Sequence, residues 1–211
     1  MRIIVTAGPT REYIDPVRFI TNASSGQMGY AVATAAAAAG HQVTLLSGPV
    51  HLPPPPHCRV VPFVNVDDLQ AALAERFADC DALVMAAAVG DFRPERPSGH
   101  KLSRSAGAID LHLIPTQDIV AGVAAGKRPG QIVITFAVED APPEAAAAKA
   151  RRELEAKHAD YVVVNMPDAM GAQSSQACIL SRDGVILPWG ARPKSDLAAE
   201  IVSLLRQAQG L

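Results

Sequence analysis

The sequence predicts a doubly wound, three-layer α/β fold with a mainly parallel sheet, and three observations carry that prediction. Short β-rich apolar runs alternate with helical stretches along most of the chain, the pattern of crossovers feeding a parallel sheet. The apolar runs are continuous rather than alternating, as in Leu83-Val84-Met85 and Val162-Val163-Val164, so both faces of the strands are expected to be covered. With 211 residues, the chain is long enough for one domain over 1–211 that buries a whole sheet between two helix layers.

In order, strands are expected at Arg2–Thr6, Gln42–Leu46, Val60–Phe63 and Ala82–Ala86, with helices at Met28–Ala39 and Val66–Phe77 between them. Gly40 is placed to end the first helix, and Asn65 or Asp67 to cap the second. Pro53-Pro54-Pro55-Pro56 can continue neither a helix nor a central strand, so an extended surface connection is expected there. From Gly90 to Gly107 the chain is rich in Gly, Pro and charge and too long for an ordinary connection, which suggests an active-site flap. Regular structure is expected to resume with a strand at Leu111–Ile114, a helix from Thr116 to Ala125 and a strand at Ile132–Phe136. A helix at Pro143–Lys157 and a strand at Tyr161–Asn165 follow. Ala177–Leu180 and Val185–Leu187 flank Arg182-Asp183-Gly184 as a protruding hairpin, able to pair with a second copy, before a helix from Ser195 to Gln207.

Composition narrows the partners. A formal charge of −2, from 19 basic and 21 acidic residues spread along the chain, offers no polycationic stripe, so no nucleic acid is expected. Cys58, Cys80 and Cys178 form no Cys-x-x-Cys pair, which fits a reducing cytoplasm, and the six histidines show no metal-ligand spacing. Ile3-Ile4-Val5 begin too close to Met1 to leave room for a signal peptide, and the apolar stretch Ala31–Ala39 is too short to cross a bilayer, so no membrane is expected.

The chemistry-bearing segments fall at expected strand ends. Thr6-Ala7-Gly8-Pro9 closes the first strand, where Gly8 permits close backbone approach of a ligand. Asn22-Ala23-Ser24-Ser25-Gly26 opens the alanine-rich helix, whose free N–H groups favour a phosphate; the competing reading makes Ser24 or Ser25 a plain helix cap. Ala86-Ala87-Ala88-Val89-Gly90-Asp91 ends the fourth strand with small side chains over which a flat base could lie. Lys101 in the flap could bring charge to a reacting phosphate, and Phe136 is as suited to a core as to base stacking. A nicotinamide fingerprint is missing: no Gly-x-Gly-x-x-Gly follows the first strand, and Leu45-Leu46-Ser47-Gly48 carries no ribose-binding acid.

The run from Thr6-Ala-Gly-Pro-Thr-Arg-Glu12 through Ile14-Asp-Pro-Val-Arg18-Phe-Ile-Thr-Asn22 to Ser24-Ser-Gly-Gln-Met-Gly29 resembles phosphopantothenoylcysteine synthetase, as do Ala86–Pro94, Asp118-Ile119-Val120 and Phe136–Glu139. The resemblance implies a Rossmann-like, homodimeric, stand-alone ligase. It would join 4′-phosphopantothenate to L-cysteine through an acyl-nucleotide made from CTP with Mg²⁺. No flavin segment precedes Met1, so FMN is not expected, and a separate decarboxylase is a candidate partner. It further implies that Asn22 and Lys101 are catalytic, and that Arg18, Asn22, Ala88 and Val89 bind substrate. Nucleotide contacts would come from Gly8, Ser24, Ser25, Gly26, Ala86, Ala87, Ala88, Asp91, Lys101, Gln117, Asp118, Ile119, Val120, Phe136 and Lys157. The flap reads Lys101-Leu102-Ser103-Arg104 where the family has Lys-x-Lys-Lys, and Thr116-Gln117-Asp118-Ile119 where it has Asn-Pro-Asp-Ile. The thinned lysines keep open a catalytically weakened nucleotide-binding homologue, and an NAD(P)-dependent oxidoreductase is a second alternative, against which the missing acid after Leu46 counts.

Overall fold

A computed structural model of the chain describes residues 1–167, 172–208 and 210. Its elements are β1 (Arg2–Ala7), β2 (Arg11–Tyr13), β3 (Phe19–Thr21), α1 (Gln27–Ala38), β4 (Gln42–Ser47), β5 (Cys58–Pro62), α2 (Val66–Arg76) and β6 (Ala82–Met85). There follow β7 (Phe92–Pro94), β8 (Leu113–Pro115), α3 (Ile119–Ala124), β9 (Ile132–Val138), α4 (Pro143–Ala156), β10 (Tyr161–Asn165), β11 (Ser174–Ser181), β12 (Val185–Pro193) and α5 (Lys194–Ala208). The architecture is the Rossmann-like one expected: an eight-stranded sheet in the order β12-β11-β10-β9-β6-β1-β4-β5, with helices on both faces. The strands from β10 to β5 run parallel, and β11 and β12 add an antiparallel hairpin.

The continuous apolar strands are buried on two sides, as their composition requires. Ile4, Leu83 and Val133 point into a core beneath α2, α3 and α4, while Ile3, Val5, Val84 and Ile134 point into a second core beneath α1 and α5. The alanine-rich α1 is pressed close to the sheet at Gly29, where an added Cβ would lie 2.5 Å from the Ala7 Cβ. Asn65 and Asp68 form a reciprocal capping box on α2, and Gly40 takes φ 81° just past α1. No helix among the described residues is long and apolar enough to cross a membrane.

Two pairings depart from the sequence reading. β2 and β3 form a short hairpin where a loop was expected, with Arg11 lying 4.5 Å over the Phe19 ring. The expected flap is partly ordered by β7 pairing antiparallel with β8. Each strand has three residues, too few to show a period.

β1 sits between β4 and β6, so the chain leaves β1 in one direction and later returns on its other side. That reversal opens a crevice at the carboxyl ends of β1 and β6, flanked by the start of α1.

Candidate ligand-binding cleft

A cleft of about 690 Å³ occupies this edge. Its walls come from the β1–α1 region, the ends of β6, β9 and β10, and the starts of α3 and α5. Backbone stitching fixes the floor. The Ala87 N–H donates to Thr6 Oγ1 (2.9 Å), the Ala88 N–H to the Gly8 carbonyl (3.0 Å), and the Gly90 N–H to Thr10 Oγ1 (2.9 Å). Asn22 Nδ2 donates to the Val89 carbonyl (3.0 Å), and Thr116 Oγ1 to the Gly90 carbonyl (2.6 Å). The loops after β1, β3 and β6 are thereby held as one surface.

The start of α1 has the character of an anion seat. Its N-cap is Gly26, at φ 79° in the left-handed region, and no side chain caps it. Neither Ser24 nor Ser25 is therefore the plain cap; the Ser24 hydroxyl accepts only the Gly26 N–H, at 3.4 Å. Gly8, at φ 81°, packs against Gly26, so a Cβ on Gly26 would come within 3.3 Å of Gly8 N. The first N–H groups of a helix have no partner within it, and here they carry the positive end of a twelve-residue dipole.

Most residues singled out from sequence line this cleft: Asn22, Ser24, Ser25, Gly26, Ala86, Ala87, Ala88, Val89, Asp91, Gln117, Asp118, Ile119, Val120, Phe136 and Lys157. Some of them have structural work as well. Asp118 caps α3 by accepting the Ala121 N–H, and Gln117 accepts from Gln70 Nε2. Lys157 lies 3.8 Å from Asp118 and 3.5 Å from Glu153. Gly8 supports Gly26 from behind instead of lining the cleft. The sequence reading missed Gln27, Thr135, Lys149, Ser175 and Lys194. Lys149 pairs with the buried Glu139 at 2.9 Å, and that carboxylate raises the lysine's pKa. These residues are scattered along the chain, and only the sheet order signals that they converge.

Arg18 and Lys101 do not line the cleft. Arg18 belongs to a clasp between the flap and the turn joining β2 to β3, and Lys101 precedes the clasp residue Leu102. Asp15, 1 % exposed, accepts the Val17 and Arg18 N–H groups on Oδ1 (both 2.8 Å) and the Leu102 N–H on Oδ2 (3.1 Å). Arg18 Nη2 donates to the Leu102 carbonyl at 3.0 Å. Burial alone would raise the Asp15 pKa, but the three amides and the Arg18 guanidinium outweigh it and hold the carboxyl below its ordinary value. The clasp's contribution is therefore present above the ordinary carboxylate pKa and lost as pH falls through the depressed one. At neutral pH, Asp15→Asn is expected to speed hydrogen exchange of the Leu102 amide several-fold, and acid should erase the difference from wild type. Equal exchange in the two proteins at neutral pH would show that something else holds the flap.

Residues 1–208 match the family described as the DNA/pantothenate metabolism flavoprotein C-terminal domain. The chain is 37% identical over 206 residues to a prokaryotic protein named cysteine/cysteine sulfinic acid decarboxylase, covering 95% of this chain and 56% of that one. It is also 37% identical over 205 residues to the coenzyme A biosynthesis bifunctional protein CoaBC of Bacillus subtilis, covering 95% and 50%. The chain thus spans about half the length of these curated relatives. Among solved structures, the C-terminal domain of a CoaBC protein superposes with TM-score 0.81 at 36% identity, covering 98% of this chain and 94% of that one. A Streptococcus pneumoniae protein shares the fold, with TM-score 0.86 at 24% identity over 98% and 99% of the chains.

These findings correct the reading drawn from the motifs. A family named for a flavoprotein and a relative named a decarboxylase do not support a stand-alone phosphopantothenoylcysteine synthetase. The ligase reaction, its CTP and Mg²⁺, and 4′-phosphopantothenate and L-cysteine as its substrates fall with that reading. A flavoprotein name lies nearer to the oxidoreductase and nucleotide-binding alternatives. The expectation that FMN is absent also falls: it rested on where the sequence begins, and the relatives are about twice as long. The CoaBC relatives are named bifunctional, which removes the reason to expect a separate decarboxylase as partner.

Aromatic surface for a flavin ring is sparse on the described lining, which holds Phe92 and Phe136. The described lining has no histidine, cysteine, tyrosine or tryptophan, and Phe92 is 54% exposed.

Proposed function

Because the chain belongs to the DNA/pantothenate metabolism flavoprotein C-terminal domain family, we propose that its cleft binds a phosphate-bearing, cysteine-derived intermediate of coenzyme A biosynthesis, of the phosphopantothenoylcysteine class. Residues 1–211 act as one cytoplasmic domain in this reading. The observation that carries it is the uncapped start of α1, braced by Gly8 and opening on the cleft, which suits a phosphate. The relatives' names supply the rest of the ligand: coenzyme A biosynthesis in one, a cysteine decarboxylase in another.

The remaining lining suits an extended ligand. Ala86, Ala87 and Ala88 give a smooth strip, and Asn22, tied to the Val89 carbonyl, presents an oriented carboxamide beside it. Calorimetric titration with phosphopantothenoylcysteine is expected to show one site per chain, with pyrophosphate competing for it. No heat and no competition at millimolar ligand would refute the reading. Release of CO₂ from the bound ligand on adding FMN would assign decarboxylation to this domain; binding without release would assign that step elsewhere.

A further inference from the structure

Thr10, at the end of the loop after β1, does not line the cleft and is 1% exposed. Three hydrogen bonds run from this one residue to two other loops. Its N–H donates to the Ala88 carbonyl at 3.2 Å, and its Oγ1 accepts the Gly90 N–H at 2.9 Å. Its carbonyl accepts the Thr21 hydroxyl at 2.7 Å. The first two bonds bracket Val89 on both sides, and the third ties down the residue before Asn22.

Both loops meet at the Asn22 side chain. Val89 supplies the carbonyl to which Asn22 Nδ2 donates, at 3.0 Å. A carbonyl can only accept, so this bond decides which end of the carboxamide is which, with nitrogen toward Val89 and Oδ1 left as an acceptor. Among the described residues no donor is bonded to Asn22 Oδ1, and Asn22 lines the cleft together with Ala88 and Val89. The direction of the Val89 carbonyl is therefore what aims that acceptor. Thr10 sets the direction, because it holds Ala88 and Gly90 on either side and its stiff β-branched side chain keeps Oγ1 against Gly90. A Cβ on Gly90 would lie 3.3 Å from Thr10 Oγ1, so the contact has little room to shift.

We propose that Thr10 is a positioning residue for Asn22, holding the carboxamide so that Oδ1 accepts an amide or hydroxyl donor of the bound molecule. The inference rests on the ligand reading above for the identity of that molecule. It goes further in giving a recognition role to a residue outside the cleft. The rival account makes Thr10 a mere stabiliser of the loops, and its loss would then weaken binding whether or not Asn22 is present.

A double-mutant cycle separates the two accounts, with phosphopantothenoylcysteine as the probe. Thr10→Val keeps the shape and removes the acceptor; it should weaken binding about fivefold, the scale of one neutral hydrogen bond. Thr10→Ser restores the hydroxyl and should bind within about twofold of wild type. In an Asn22→Ala background, Thr10→Val should cost nothing more. A second readout needs no ligand: solvent exchange of the Asn22 Nδ2 protons should speed several-fold in Thr10→Val and stay as in wild type in Thr10→Ser. Urea denaturation shows whether Thr10→Val folds. If it does not, Thr21→Val, at an exposed position, cuts the other tie and should show the same dependence on Asn22. Losses that multiply in the double variant, or Asn22 exchange unchanged by Thr10→Val, overturn the inference and leave the ligand reading standing. Failure of wild type to bind the probe overturns the ligand reading, and the exchange rates then decide the positioning role by themselves.

Discussion

Replacing Gly29 with alanine is expected to destabilise the protein by about 2–3 kcal/mol, the scale of forced overpacking in a close-packed interior. The added Cβ would lie 2.5 Å from the Ala7 Cβ and 2.6 Å from the Thr6 carbonyl oxygen. Both obstacles belong to β1, the strand between β4 and β6, so neither can swing aside as a long side chain would. α1 must instead lift from the sheet, carrying its N–H groups away from the anion seat. Urea titration should show a lower midpoint, and phosphopantothenoylcysteine affinity should fall with it. A variant as stable as wild type would mean that the helix rides over β1 with slack.

The second large effect is expected at Gly26, and there it falls on binding more than on stability. Alanine at φ 79° costs about 1 kcal/mol in backbone strain. Its Cβ would also approach Val50 Cγ1 to 2.9 Å and Gly8 N to 3.3 Å, prising the start of the helix from the loop after β1. Ligand affinity should drop by about tenfold or more, since the seat depends on N–H groups pointing at one place. Gly122 is the matched control. It lies within α3 with nothing inside 4 Å of an added Cβ, so Gly122→Ala should leave affinity unchanged and add about 0.5–1 kcal/mol to stability. If Gly26→Ala binds like wild type, the phosphate sits elsewhere in the cleft.

Much of the architecture was legible because burial on two faces leaves a clear mark on composition. Val162-Val163-Val164 and Leu83-Val84-Met85 have to be central strands, and they are. The strands of three residues were not legible. Arg11-Glu12-Tyr13 is held by pairing with Phe19–Thr21 and by the bond from the Val66 N–H to Glu12 Oε1, contacts that only the tertiary fold creates. The cleft was legible where glycines and small residues cluster at strand ends, around Gly8, Gly26 and Ala86–Ala88. Lys194 and Ser175 gave no such signal, because a lysine before Ser195-Asp196 reads as an ordinary solvated turn of helix until the sheet order places it at the edge.

The motifs were informative about shape and misleading about chemistry. A glycine-braced helix start seats a phosphate whatever reaction follows, so the same residues serve a ligand of several enzyme types. Arg18 and Lys101 show the same limit. Their positions suggested charges aimed at a substrate, and the structure puts Arg18 into the clasp around Asp15 and Leu102, with Lys101 beside it.

The packing of α1 on α5 sets the timetable of assembly. Residues 27–38 meet residues 194–208 across nearly the whole length of the polypeptide, and β1 lies between β4 and β6, which both come later in the chain. Such long-range closure is slow, because its entropic cost falls due before any contact repays it. The seat at α1 and the cleft wall at the start of α5 should thus mature in the final stage of refolding. Recovery of ligand binding is then the last signal to return after dilution from denaturant, trailing the recovery of helical ellipticity.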